Sequence, residues 1–174
     1  MRGDAVLVSV AGAGPARFVI AQADADNAVG ETQEGNNSAA KTISLGPDLR
    51  ISSVSIPFTI AAGSTVSVTD VVQNQGADGA GPSTTRFYVS VNVALDATDV
   101  PLTGSRAVPA LPAGASSSGS TSVSIAADTA PGRYWLITQA DSDGAVAEGQ
   151  ETNNLSVVLI QVIAAPSGGD GPAR

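Results

Sequence analysis

The sequence predicts an all-β protein, and three observations lead to that class. The apolar residues are Val, Ala, Ile and Leu, with only three Phe, two Tyr and one Trp, while Thr and Ser are abundant. Such β-branched and small polar side chains suit pleated sheets better than helices. Runs of four to nine residues rich in Val, Ile and Thr are bounded at short intervals by Gly, Pro, Asn and Asp, the punctuation of short strands and turns. Finally, "QADADNAVGETQEGNN" at 22–37 and "QADSDGAVAEGQETNN" at 139–154 overlay without a gap at an offset of 117, identical at eleven of sixteen positions.

That offset organises the chain, because a fixed period marks a repeated structural unit. Residues 1–46 align with 118–163: "DAVLVSV" overlays "TSVSIAA", "ARFVIAQAD" overlays "RYWLITQAD", and "AAKTISL" overlays "SVVLIQV". Residues 47–163 then form one complete unit. Residues 1–46 form the three-stranded, C-terminal half of a preceding unit, and "AAPSGGDGPAR" at 164–174 reads as a flexible tail.

Seven strands are expected in the complete unit. Leu49–Ile56 opens it, and Thr65–Gln73 follows with Val66, Val68 and Val72 in phase. Asp70 falls on that same inward face, so either a bulge shifts the register there or the carboxylate is buried with partners; a bulge is the cheaper solution. "NQGADGAGPS" is a loop by composition, with Asn74 and Gly76 suited to positive φ. Thr84–Val93 alternates, Phe87, Val89, Val91 and Val93 on one face and Arg86, Tyr88, Ser90 and Asn92 on the other. Ser105–Pro109, Ser120–Ala126, Arg133–Ala140 and Leu155–Ile163 complete the set. The last, "LSVVLIQVI", is apolar on both faces and is expected to be covered on both, by the half-unit.

Composition removes several function classes. With a net charge of −8 and a single lysine, Lys41, no basic patch exists to neutralise phosphates. No run approaches the roughly 18 apolar residues of a membrane span, and Asp4 and Arg17 interrupt the first apolar stretch where a signal peptide would need continuity. The chain has neither His nor Cys, so the usual general base, thiolate and imidazole metal ligand are missing and no enzyme is expected. "AGAGPA" at 11–16 lacks the lysine of a phosphate-binding loop. "RGD" at Arg2–Asp4 reads as an accident of three residues, and Tyr134 and Trp135 as packing residues before a sugar platform.

The doubled acidic stretch is the constellation with chemistry to offer. Asp141, Asp143, Glu148, Glu151, Asn153 and Asn154 present hard oxygens within fourteen residues, and Asp24, Asp26, Glu31, Glu34, Asn36 and Asn37 repeat them. Calcium takes six to eight such ligands. The spacing is not an EF-hand, since Ala145 and Val146 stand where that loop needs a ligand and a glycine. The other reading is structural: Asp141 ends a strand by bonding nearby amides, Val29 and Val146 turn into the core, and the Asn-Asn pair leads into the last strand.

"PDLRISSVSI", "VVQNQG", "FYVS" and "PGRYWLITQADSDGAVAEGQETNN" occur in this order, and together resemble the CARDB domain, the cell-adhesion-related domain found in bacteria. The resemblance covers 47–163 as a whole unit and 1–46 as a C-terminal half. It implies an immunoglobulin-like or fibronectin type III-like seven-stranded β-sandwich, found in tandem on secreted or surface-displayed proteins. The expected function is a non-catalytic extracellular structural or adhesive module at a bacterial surface, associating with itself or with neighbouring repeats. A calcium-dependent module binding a glycan or surface protein is the first alternative, and a subunit of an extracellular filament or virion surface the second.

Overall fold

The computed structural model describes residues 16–166, which hold ten strands. β1 (Ala16–Gln22) and β2 (Ser38–Ser44) form an antiparallel hairpin that is a two-stranded sheet of its own. From Leu49 onward two sheets face each other. One holds β3 (Leu49–Ser55), β5 (Thr65–Asn74) and β8 (Ser116–Ser124), in the order β3-β5-β8. The other holds β4 (Thr59–Ala61), β6 (Ser83–Ser90), β7 (Val100–Val108), β9 (Gly132–Gln139) and β10 (Leu155–Ile163), in the order β4-β10-β9-β6-β7. The expected half-unit strand near 4–10, the Arg2–Asp4 triplet and the tail beyond Pro166 lie outside the described residues.

Alternation places the core. Along β5, Val68, Asp70, Val72 and Asn74 are buried, while Thr65, Ser67 and Thr69 face solvent. Val68 and Val123 from the three-stranded sheet meet Phe87, Leu136, Ile160 and Val162 from the five-stranded one. A second cluster of Leu49, Val72, Val108, Leu111, Ala140 and Val146 fills the end where the chain enters the unit.

The sandwich has eight strands where the sequence suggests seven. β4 pairs parallel with the end of β10, Gln161 opposite Thr59 and Ile163 opposite Ala61; three residues are too few for any period to show. β8 reaches back to Ser116 through a serine run that looks like loop. Its solvent face is held by hydroxyl pairs instead, Thr65 Oγ1 to Ser124 Oγ and Thr69 Oγ1 to Ser120 Oγ, both at 2.8 Å.

β6, in turn, stops at Ser90 and not at Val93. Ser90 Oγ accepts the Asn92 amide and Asn92 Oδ1 the Ala94 amide, at 3.0 and 2.7 Å, turning the chain away from the sheet. Val91 and Val93 are consequently 73% and 59% exposed instead of inward. On β10, Ile160 and Val162 are buried and Val157 and Leu159 half-buried; among the described residues the strands packed closely on it are β9, β4 and β3.

Asp70 corrects the bulge expectation. The bulge of this sheet lies on β3, between Ile51 and Ser53, and β5 runs through in unbroken register. Asp70 is fully buried and paired with Arg106 of β7 in the opposite sheet. Arg106 Nε donates to both carboxylate oxygens at 2.9 and 3.1 Å, Nη2 donates to Asp70 Oδ2, and Nη1 donates to Ser117 Oγ at 3.1 Å. Gly119, opposite Asp70 on β8, leaves the room: a Cβ there would stand 2.5 Å from Arg106 Cδ.

Candidate functional site

Both copies of the acidic stretch fold the same way at their first residue. Asp141 has φ 44° and accepts the amides of Ala145 and Val146 at 3.1 and 3.0 Å. Asp24 has φ 46° and accepts those of Ala28 and Val29 at 2.9 and 3.0 Å. Each is followed three residues later by a second positive φ, Gly144 at 61° and Asn27 at 53°, the conformation Gly and Asn tolerate best. Even the pairing register is shared, Gln22 opposite Ser38 and Gln139 opposite Leu155. The motif is therefore local, written in the loop itself.

Beyond that turn the copies differ. Val146 is buried and Glu148 is 3% exposed, whereas Val29 is 60% exposed and Glu31 lies at the surface. In the first copy Asp26 is exposed and Glu34 and Asn36 lie in a single 3₁₀ turn, while the Asn37 carbonyl accepts the Ala23 amide at 2.8 Å.

In the complete unit the loop reaches across and grips the lead-in segment Gly46–Leu49. Glu148 Oε2 accepts the Leu49 amide at 2.5 Å and Oε1 accepts Asn154 Nδ2 at 3.1 Å. Asn153 Nδ2 donates to Asp48 Oδ1 at 2.8 Å, and the Gly149 amide donates to the Pro47 carbonyl at 2.9 Å. Glu151 Oε1 accepts the Glu148 amide at 2.9 Å, and Asp143 Oδ2 accepts Thr84 Oγ1 at 3.1 Å.

From the other side the β5–β6 loop grips the same segment. Asn74, fully buried, accepts the Asp48 and Gly76 amides on Oδ1 at 3.1 and 3.0 Å, and its Nδ2 donates to the carbonyls of Asp78, Leu111 and Pro112. Gln75 binds the Asp48 carbonyl through its amide at 2.8 Å and Asp48 Oδ2 through Nε2 at 3.1 Å. Neither Asn74 nor Gly76 has the positive φ expected of it. Gly76 is needed for close approach, since a Cβ there would stand 2.3 Å from the Gly46 carbonyl oxygen and 2.6 Å from the Asp48 nitrogen.

The electrostatics are those of crowded acids. Burial, then the charges of Glu151 and Asp141, push the Glu148 carboxyl up to about 7, against the hydrogen bonds from Leu49 and Asn154 that favour its ionised form. Asp141 is likewise raised by burial, opposed by its two amide bonds. Asn154 Oδ1 is buried and has no hydrogen-bond partner. Asp141, Glu151 and Asn154 line a surface cavity of about 490 Å³ with Gln139, Ser142 and Thr152. Among the described residues, no three acidic side chains converge as a metal cluster.

The CARDB family profile matches residues 46–158, well over half of the chain. The chain belongs to the CARDB family. Solved structures agree on the fold of the CARDB unit. A CARDB domain from Pyrococcus furiosus, crystallised in complex with di-metal ions, superposes with a TM-score of 0.51 at 18% identity, over 68% of this chain and 90% of the other. A domain of a Methanosarcina acetivorans protein assigned to the cell surface gives 0.50 at 22% identity, over 68% and 94%. No curated protein matches.

Sequence reasoning named the loop's acids and amides but missed what this CARDB unit sets against them: Asp48, Asn74 and Gln75. Their signal was present as polar residues flanking strand ends, yet nothing local links Leu49 to Glu148 across 99 positions. The burial of Glu148 has a measurable sign. Below about pH 4.5 its carboxyl is protonated both folded and unfolded; between there and about 7 only the folded form holds the proton. Stability therefore falls as pH rises through that window, by roughly 3 kcal/mol at most. Melting temperatures from pH 5 to 8 should decline in the native chain and decline less in Glu148→Gln; parallel curves for the two would refute the burial argument.

Proposed function

We propose that this CARDB chain is a non-catalytic structural and adhesive module, displayed outside the cell, that spaces and presents neighbouring repeats and associates with them or with a second copy. The observation that carries this reading is the repeat itself. The β1–β2 hairpin reproduces β9–β10 in register and turn geometry 117 positions earlier, and Leu45 alone separates β2 from the fixed lead-in segment. Fold alone assigns no activity, and a serial arrangement of sandwiches with so short a connection sets a distance. The lone lysine, Lys41, is exposed on β2, which gives a direct test. A membrane-impermeant amine reagent applied to intact producing cells should label the chain, whereas labelling only after lysis overturns the extracellular reading. Light scattering checks self-association, and a monomer at all micromolar concentrations removes it.

A second reading, cation binding at the acidic loop, is favoured by one observation: the buried, partnerless Asn154 Oδ1 beside the mutually repelling carboxyls of Asp141, Glu148 and Glu151. The metal-bound Pyrococcus furiosus domain adds to its interest. Asp141, Glu151 and Asn154 would hold the ion and the charge repulsion would fall. Calcium at a hundred times its Kd adds about 2.7 kcal/mol, enough to raise the melting temperature by roughly 10 °C. No difference between millimolar calcium and chelator removes this reading.

A further inference from the structure

We propose that the complete unit is organised to resist tension applied along the chain from Leu45 to Ala164. The chain enters at the end that holds Leu49 and leaves at the opposite end through Ile163, because β10 starts beside the lead-in segment and runs away from it. β4 runs parallel to β10. Tension therefore pulls β4 and β10 in opposite directions along their own axes, and their bonds are loaded together instead of one after another. Those bonds include Gln161 N to the Phe58 carbonyl at 2.7 Å and Ala62 N to the Ile163 carbonyl at 2.9 Å. Ile60 and Val162, opposite one another in this pair, are 2% and 0% exposed, so sliding drags apolar side chains through a packed core.

The lead-in segment adds a second lock in series. Before β3 can slide, the carbonyls of Gly46, Pro47 and Asp48 and the amides of Asp48 and Leu49 must leave Ala77, Gly149, Gln75, Asn74 and Glu148. Glu148 and Gly149 belong to the loop that runs directly into β10. Load entering at Gly46 is thus passed in part directly to the strand through which it leaves, by way of Glu148 and Gly149, and in part to β5 and its following loop through Asn74, Gln75 and Ala77.

The assignment rests on the reading of the chain as a module in series, but it concerns the unit's own topology. Because the sequence has no cysteine, thiol handles can be placed singly. Leu45→Cys with Ala164→Cys loads the unit along its length; both native side chains are exposed. Val93→Cys with Ala164→Cys pulls from one end only, since Ser90 lies against Trp135 and Gly132 against Val162, and peels β10 a residue pair at a time. Forced unfolding reads the unfolding rate. At equal force, lifetimes through the first pair should exceed those through the second by about tenfold or more, the effect of one net hydrogen bond on the barrier. Lifetimes agreeing within that factor overturn the proposal. Such a failure leaves surface display untouched, and a failed surface-labelling test leaves the lifetimes standing, so the two ideas can fall separately.

Discussion

Replacing Arg106 by alanine destabilises the complete unit by about 3–5 kcal/mol, because it strands a buried carboxylate. Asp70 has no exposed surface and the Arg106 side chain is its ion-pair partner, at 10% exposure. Urea unfolding followed by Trp135 fluorescence measures the loss as a shift in midpoint at constant slope. The informative control is the double replacement Asp70→Val with Arg106→Met, which removes both charges. It recovers most of the stability, since an apolar pair of similar bulk matches a buried ion pair. A double variant as unstable as Arg106→Ala would show that the cost lies in packing around Gly119 and Ser117, and not in the stranded charge.

Asn74→Ala has the second largest effect, roughly 3–5 kcal/mol. One side chain satisfies the amides of Asp48 and Gly76 and three carbonyls, those of Asp78, Leu111 and Pro112. Alanine leaves buried donors and acceptors without partners, at about 1–3 kcal/mol each where water cannot enter. Asn74→Asp retains the acceptor but aims a carboxylate at three carbonyl oxygens, so it fails to rescue. Hydrogen exchange localises the damage: the Asp48 and Gln75 amides lose protection first, while those of β6 and β9 keep theirs. Native-like stability in Asn74→Asp would mean that the donated bonds contribute little.

These two residues also mark what the sequence could disclose. The all-β class, the sandwich and the limits of β10 were legible because alternation and turn chemistry are local; Leu155–Ile163 is read to the residue. The twin loops were legible for the same reason, as Asp24 and Asp141 bond amides only four and five positions ahead. Asp70 was visible as an anomaly but not as a pair, because its partner comes from another sheet 36 positions away. Asn74 looked like a turn former, and only the fold reveals that it joins three loops. β6 was overextended because Val91 and Val93 continue the alternation that Ser90 and Asn92 interrupt through their side chains. Glu148 and Glu151 stand as acids close together in the sequence, but burial, the property that perturbs Glu148, cannot be read from spacing.

The self-contained loop of Asp141 has a consequence for the order in which the unit folds. Its turn and the adjoining β9–β10 hairpin close over short sequence distances, on a timescale of microseconds. The bond from Leu49 to Glu148 closes a span of 99 positions, and the parallel contact of β4 with β10 joins segments about as far apart. Distant closures are entropically costly until the rest of the sheet is in place. The hairpin should therefore form early and wait, its acceptor Glu148 held ready, with attachment of β3, the first strand of the complete unit, as the final step. A nascent copy emerging from the ribosome carries its opening strands for most of its synthesis before the hairpin that receives them exists.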